Sequence, residues 1–454
     1  MSLRGLAVTL TVLVSASASA GQPAPEIDPM GPEPADRYPA GDSLRVYVMT
    51  MGPGDHPFLR FGHDAIWIRD SAARTDKVYN FGTFRFDSPR LILDFLGGRL
   101  NYWLSVSPLS RVIGEYTREN RDIAVQELAL SPAKKEELRT ALDVNARPEN
   151  RRYKYDYFLD NCSTRVRDAV DQVAGGEVHN AIGRAPGRMT LREHALRMTA
   201  EPLWLYLALD VVLGPKVDEP ISRWGETFLP GELATALDSV RLTGTQVGSM
   251  RLIMGPDGRP IAEKPLPRGD PPPLVSGQAT LFRADRPLPL DVPPSRVLKF
   301  LIWGGIVGLL FAALGWGASR SRWARVPFGI VVALWGLATG FLGCFLVYAW
   351  MLTGHVVAHR NQNILLCAPW ALAHLVLGVG VAMGRPGATR KAFALAAAAL
   401  GAVLIACLMK IGFVAHQQNG RLIAFFLPAW IGIVGALWLL RRRIALRAPG
   451  TSRP

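Results

Sequence analysis

The chain has 454 residues, room for two or three domains, with 49% hydrophobic residues and a formal net charge of +14. That charge is unevenly placed: Val297–Pro454 holds 15 of the 51 Lys and Arg and no Asp or Glu, which leaves 36 basic against 37 acidic residues before it. A nucleic-acid-binding lobe carries its basic excess on the folded part. Here the polar part is near neutral, so that class is excluded.

The first twenty residues, MSLRGLAVTLTVLVSASASA, join a basic Arg4 to a short apolar core and end in alternating Ala and Ser. This is the pattern of a secretory signal peptide, and its core is too short to span a bilayer. Residues 21–43, rich in Pro, Gly and Ala, read as a linker. It ends in Gly41-Asp42-Ser43-Leu44, a block found around serine esterase nucleophiles; here it precedes a strand instead of following one, which argues against that chemistry.

The spacing predicts strands at Leu44–Thr50, His63–Asp70, Lys77–Phe84, Asn101–Val106 and Asp122–Leu130. Alternation puts His63, Ala65 and Trp67 on one face of the second and Ile66 and Ile68 on the other. Helices are expected at Ser88–Leu96 and Ser131–Val144, each opened by Ser-Pro. Next comes YKYDYFLDNCSTRVRDAV, Tyr153–Val170, where an aromatic extended segment turns into a helix. Val166, Ala169, Val170 and Val173 form one helical face, Asp160 and Asn161 are cap-type residues, and Gly175-Gly176 close it. Thr190–Met198, Glu201–Leu213 and Pro230–Val240 read as further helices, and the proline-rich 247–296 as a connector holding a strand or two. The folded lobe is thus expected over 44–246.

Cys162 is the lone cysteine before the membrane part. An exported lobe with one thiol has no internal disulfide, and a free thiol in an oxidising compartment points to reactivity. In the first turn of a helix it faces unpaired N–H groups and the positive dipole end, which favour the nucleophilic thiolate; the competing reading is a buried, inert cysteine. No Cys/His spacing suggests a metal, and no cofactor is implied. Of His56, His63, His179 and His194, His63 opens a strand after Gly62 and is the candidate base. His56 is second, and His179 and His194 read as surface groups. Asn80, on the next strand, is the candidate to orient His63, or else a turn residue.

Five apolar stretches follow, near Leu298–Ala318, Pro327–Leu352, Ile364–Met383, Ala392–Gly412 and Leu422–Leu440, each long enough to cross the hydrocarbon core. The membrane domain is placed at 297–441, with a basic tail at 442–454. Arginine and lysine cluster after the first, third and fifth spans, so those segments are cytoplasmic by the positive-inside rule and the lobe lies outside. The two outer loops hold His355, His359, Arg360, Asn361 and Asn363, and His416 to Asn419 with Arg421. They suit a phospholipid headgroup, docking of the lobe, or plain interfacial anchoring. Arg165 and Arg167 suit a phosphate or solvent. Tyr155 and its aromatic neighbours pack the lobe or line a groove. His374, mid-span, is a polar group at a costly depth.

GHDAIWIRD followed by YNFGTF and then YDYFLDNCSTRVRD resembles the circularly permuted papain-like, NlpC-type fold, in which the histidine strand precedes the cysteine helix. Joined to five spans, the set resembles the bacterial lipoprotein N-acyltransferases of the Lnb type. The resemblance implies an α+β lobe with an antiparallel sheet, followed by an all-α five-helix membrane domain. It implies Cys162 as nucleophile, His63 as base and Asn80 as orienter. The implied partners are a phospholipid acyl donor, a diacylated lipoprotein acceptor and the inner membrane. A membrane-tethered cysteine hydrolase acting on envelope peptide or lipid ester shares the same nucleophile and base, and is the alternative.

Overall fold

The computed structural model describes residues 41–84, 97–98, 101–242, 250–254, 260–265, 271–411 and 417–447. The signal peptide, nearly all of the linker, the Ser88–Leu96 helix, His416 and the last seven residues of the tail lie outside the described residues.

The N-terminal lobe is built on a seven-stranded sheet in the order β6-β4-β3-β2-β1-β5-β9, every neighbouring pair antiparallel. The strands are β1 (Leu44–Met51), β2 (His63–Asp70), β3 (Thr75–Thr83), β4 (Asn101–Pro108), β5 (Ile123–Leu128), β6 (Arg152–Lys154) and β9 (Val275–Phe282), with β7 (Met250–Met254) and β8 (Pro260–Pro265) a separate hairpin. The connector is therefore not only a tether, since its β9 completes the sheet beside β5. β9 is one of the strands expected in that connector; its partner β5 lies about 150 residues upstream, which a local pattern does not reveal.

Among the described residues eight helices accompany the sheet in the lobe: α1 (Leu109–Arg118), α2 (Pro132–Asn145), α3 (Cys162–Val173), α4 (Glu177–Ile182), α5 (Leu191–Met198), α6 (Leu203–Val212), α7 (Arg223–Glu226) and α8 (Pro230–Ser239). The sheet is covered on both faces. Ala65, Trp67 and Val78 pack with Tyr47, Met49 and Met51 under Leu109, Val112 and Ile113 of α1. Ile66, Ile68, Tyr79 and Phe81 pack on the other face under Val166, Val170 and Val173 of α3. Period-2 alternation in the strands and period-3.6 spacing in α3 thus meet at one core.

The five spans are α9 (Val297–Arg320), α10 (Arg325–Met351), a broken third span, α12 (Pro386–Ile411) and α13 (Gly420–Arg447). The third, Gln362–Ala382, begins as short 3-10 turns at Gln362–Leu365 and Pro369–Ala373 and becomes α-helical only as α11 (His374–Ala382). Irregular backbone at membrane depth survives where protein buries it. Here Gly336, Gly340 and Gly343 of α10 let the irregular stretch lie directly on that helix. His374 is buried and bridges the Ala371 and Ala392 carbonyls at 3.0 Å each, a structural role for the polar mid-span residue. The basic tail begins as helix, because α13 runs on to Arg447.

The lobe is bolted to the span ends. Arg192 of α5 is fully buried; it donates to Asp218 at 2.7 Å and to the carbonyls of Asp210, Leu213 and Gly214 at the end of α6. Asp210 also takes Arg421 of α13 at 2.8 Å. His194, expected at the surface, is buried beside them, with Glu226 at 2.9 Å and Arg197 at 3.1 Å. Its helix shows a polar stripe because the lobe's second core is partly ionic.

α9 crosses α13 through Gly304, Gly308 and Gly432, where side chains would meet the facing backbone. Gly308→Val is expected to push the two helices apart at the Pro428 carbonyl and destabilise the protein by at least about 2 kcal/mol. A detergent-solubilised melting curve indistinguishable from wild type would contradict this packing.

Candidate active site at the start of the cysteine helix

The turn into α3 is fixed by its own sequence. Asn161 is the N-cap: its Oδ1 accepts from Thr164 N at 2.9 Å, and Thr164 Oγ1 accepts from Asn161 N at 2.8 Å, a reciprocal capping box. The Asn161 amide then donates to the carbonyls of Tyr157 and Phe228, both at 2.9 Å, which ties the helix start to the lobe. Cys162 is the first residue inside the helix and is buried.

The backbone N–H groups of Asp64, Ser163 and Cys162 itself point toward the sulfur and favour thiolate, as the helix position suggests. Burial outweighs them. The thiol is pushed up to about 12, first by desolvation and second by the Asp64 carboxylate. The expectation of a stable thiolate at rest is therefore corrected: the helix terminus is the weaker effect in a dry site.

His63 opens β2 opposite Met51. Gly62 before it has φ +83°, and a Cβ there would sit 2.8 Å from the Met51 carbonyl oxygen, so only glycine makes this turn. The His63 ring lies parallel to Tyr116 with centroids 6.3 Å apart. It is pushed down to about 3 by desolvation and by the charge of Arg121, against the hydrogen bond to Asn80 that supports protonation. Both expected partners, Cys162 and His63, are thus neutral at rest, while the Asn80 amide donates to the Val78 carbonyl at 3.3 Å.

Alternation separates the two side chains of the motif. His63 shares a face with Ala65, Trp67 and Val78, whereas Asp64 turns to the α3 face. The Asp64 N–H at the sulfur puts Cys162 one residue along β2 from His63. Gly82, with φ +84°, leaves room there, the position of its missing Cβ lying 3.5 Å from Cys162 Cβ. The structure thereby brings Cys162, His63 and Asn80 to one strand end.

Asp64 is the residue that sequence reasoning missed. It is fully buried, accepts from Thr50 Oγ1 at 3.0 Å and from Ser163 Oγ, and is raised to about 7 by desolvation. The readable signal was a carboxylate on the stripe otherwise made by Ile66 and Ile68.

The remaining candidates divide. Arg165 pairs with Asp160 through two nitrogens and lies over the Tyr153 ring at 4.2 Å, so both its charge and its plane are occupied within the lobe. Arg167 is likewise held by Asp168 and the Trp224 ring. Asn361 and Asn363 are buried. Asn361 donates to the Val211 and Val212 carbonyls at 2.8 Å, and Asn363 to Val211 at 2.9 Å. Gln417 and Asn419 of the other outer loop join them at 3.0 and 2.8 Å. These amides dock the lobe rather than face a headgroup. His359 turns back to the Thr353 carbonyl within its own loop. Tyr155 stacks on Tyr102 with centroids 4.0 Å apart, and His355 stacks on Tyr157 at 6.0 Å. Among the described residues no cluster of three His, Cys, Asp or Glu is placed to hold a metal.

Residues 33–195 match the family model of the Lnb N-terminal periplasmic domain. The N-terminal lobe is an Lnb-type periplasmic domain. The match spans His63, Asn80 and Cys162, and five helices of membrane-crossing length and composition follow it in the chain, as in a multi-pass membrane protein. Comparison with curated proteins and with solved structures yields no significant match.

The charge beside the thiol has a measurable sign. Above pH about 7 Asp64 is ionised and opposes thiolate; below it the acid is neutral and the opposition vanishes. Asp64→Asn is therefore expected to speed iodoacetamide capture of Cys162 by about threefold to tenfold above pH 7, half to one pKa unit, and to match wild type below it. Parallel wild-type and variant rates across pH 6–9 would exclude this coupling.

Proposed function

We propose that this Lnb-type protein is a thiol-dependent lipoprotein N-acyltransferase of the inner membrane, with its lobe on the periplasmic face. What supports the reading above all is the meeting of Cys162 with the His63–Asn80 strand end, in a lobe bolted to five spans. Both substrates of such a reaction are lipid-embedded, which gives a soluble-type thiol fold a reason to sit on a membrane domain. The spans deliver their outer ends to the lobe, while Arg320, Arg322, Arg325, Arg385, Arg390, Lys391 and Arg441–Arg443 lie at the opposite ends. That separation favours a periplasmic lobe by the positive-inside rule.

A neutral thiol and a neutral imidazole set the order of events. His63 takes the Cys162 proton as sulfur attacks an ester carbonyl of a phospholipid, so that thiolate never accumulates. Backbone N–H groups at the start of α3 are suited to stabilise the oxyanion. The tetrahedral adduct collapses as His63 passes that proton to the departing lysophospholipid oxygen, leaving an acyl thioester on Cys162. The α-amine of a diacylglyceryl-cysteine attacks the thioester, His63 removes the amine proton and returns one to sulfur, and an N-acyl amide leaves. Asn80 keeps the imidazole aimed through the cycle. Water in place of the amine makes the same site a hydrolase.

Trapping the wild-type protein from membranes is expected to yield a long-chain acyl group on Cys162 that hydroxylamine removes, with none on Cys162→Ala. His63→Gln is expected to slow acyl transfer by about 10²–10⁴-fold, and Asn80→Ala by less. Mass spectrometry of lipoprotein N-termini should show the free α-amine converted to amide only with the intact pair. Thioester formation without N-acylation would assign the hydrolase reaction; absence of any thioester would reject covalent catalysis.

A further inference from the structure

Between the lobe and the loop after α10 lies a cavity of about 30 Å³ lined by Tyr102, Tyr155, Asp156, Tyr157, His355 and Val356, among others. The Tyr102 and Tyr155 faces stack at 4.0 Å and 23°, while Tyr157 stands edge-on to Tyr155 at 6.0 Å and 78°. His355 continues the wall from the membrane side, parallel to Tyr157. Asp156, between Tyr155 and Tyr157 in the chain, lines the cavity too, and its Oδ1 accepts from Phe158 N and Leu159 N at 2.9 Å each. Among the described residues lining the cavity there is no Lys or Arg.

We infer that this cavity is a subsite for a lipid ammonium group. Aromatic faces carry negative potential and attract cations, most strongly where water is excluded, and a carboxylate strengthens the field. The volume decides against an acyl chain: about 30 Å³ is the share of one small polar group. The location decides the kind of molecule. On one side the wall is the span-joining loop Gly354–Val357. On the other, Tyr155 and Tyr102 lie within the electrostatic reach of Cys162, and the Tyr155 ring is 3.6 Å from the vacant Cβ position of Gly82, beside the nucleophile. An occupant must therefore present its head between a membrane surface and the sulfur. The inference rests on the acyl-transfer reading for its substrates, both of which can carry a primary ammonium: an ethanolamine phospholipid headgroup, and the α-amine of a diacylglyceryl-cysteine. The shared chemistry is the cation.

The test uses the full-length protein in detergent micelles with Cys162→Ala, so that nothing turns over. Two ligand pairs are titrated: short-chain phosphatidylethanolamine against its N-acetyl derivative, and a diacylglyceryl-cysteine peptide with a free against an acetylated amine. One free-amine ligand is expected to bind about tenfold tighter than its capped partner, and the pair that shows it identifies the source. Adding Asp156→Asn, which keeps an acceptor oxygen for Phe158 and Leu159, or His355→Ala, on a separate loop, is expected to erase most of that preference. Equal binding within both pairs, or a preference that survives both substitutions, overturns the proposal. A preference without any Cys162 thioester would leave the subsite standing and remove the acyl-transfer reading; a thioester without a preference would do the reverse.

Discussion

The chemistry depends on one constraint, the burial of the Cys162 sulfur where α3 begins against the end of β2. The backbone N–H groups of Asp64, Ser163 and Cys162 favour charge on the sulfur there, and burial opposes it. In a wet first turn those donors and the helix dipole would hold a thiolate. In this dry one they recover only part of the desolvation cost, so the thiol stays protonated and so, by the same physics, does His63 stay neutral. A charged thiolate–imidazolium pair would need solvation that the site lacks. On the proposed mechanism a neutral pair needs only a proton transfer timed with attack, and it leaves no exposed nucleophile to be oxidised between turnovers.

The same burial explains why Asp64 is tolerated. A fully buried carboxylate survives by hydrogen bonds from Thr50 and Ser163 and by holding its own proton up to about pH 7. Its two partners come from β1 and from the residue next to the nucleophile, so it fixes α3 to the sheet. Thr50 on β1 and Ser163 on α3 are the groups facing it, while Arg121 acts on His63 from the loop before β5.

Much of this was legible in the residues, and for identifiable reasons. Span length, the Asn161 cap, the His63 strand and the order of motifs are local patterns, and local patterns survive folding. What stayed hidden was set by distance in the chain or by solvent. β9 finds β5 across 150 residues. The thiol's acidity depends on how deeply α3 is packed, which no spacing reports. Arg192 and His194 look like solvated charges on a short helix, yet both are buried, Arg192 among Asp218 and the carbonyls at the end of α6, His194 among Glu226, Arg197 and the Phe228 ring. The third span scores as continuous by hydropathy, and only its packing on three glycines of α10 allows it to be irregular.

The joint between lobe and spans carries the remaining argument. Arg192, Asp210, Asp218 and Arg421 form a buried ionic group, and such groups add little net stability compared with apolar packing of the same volume. What they add is register: an apolar joint slides, whereas Arg192 meets two carboxylates and three carbonyls in a single geometry. Asn361, Asn363 and Gln417 reinforce it by satisfying the carbonyls left free at the end of α6. A reaction between a sulfur in the lobe and an ester in the bilayer requires a fixed height above the membrane, and a small error there costs orders of magnitude in rate. On the acyl-transfer reading proposed above, the polar loops that join the spans serve the reaction by holding the lobe at one height, and the stacked Tyr157 and His355 join lobe to loop where the proposed subsite lies.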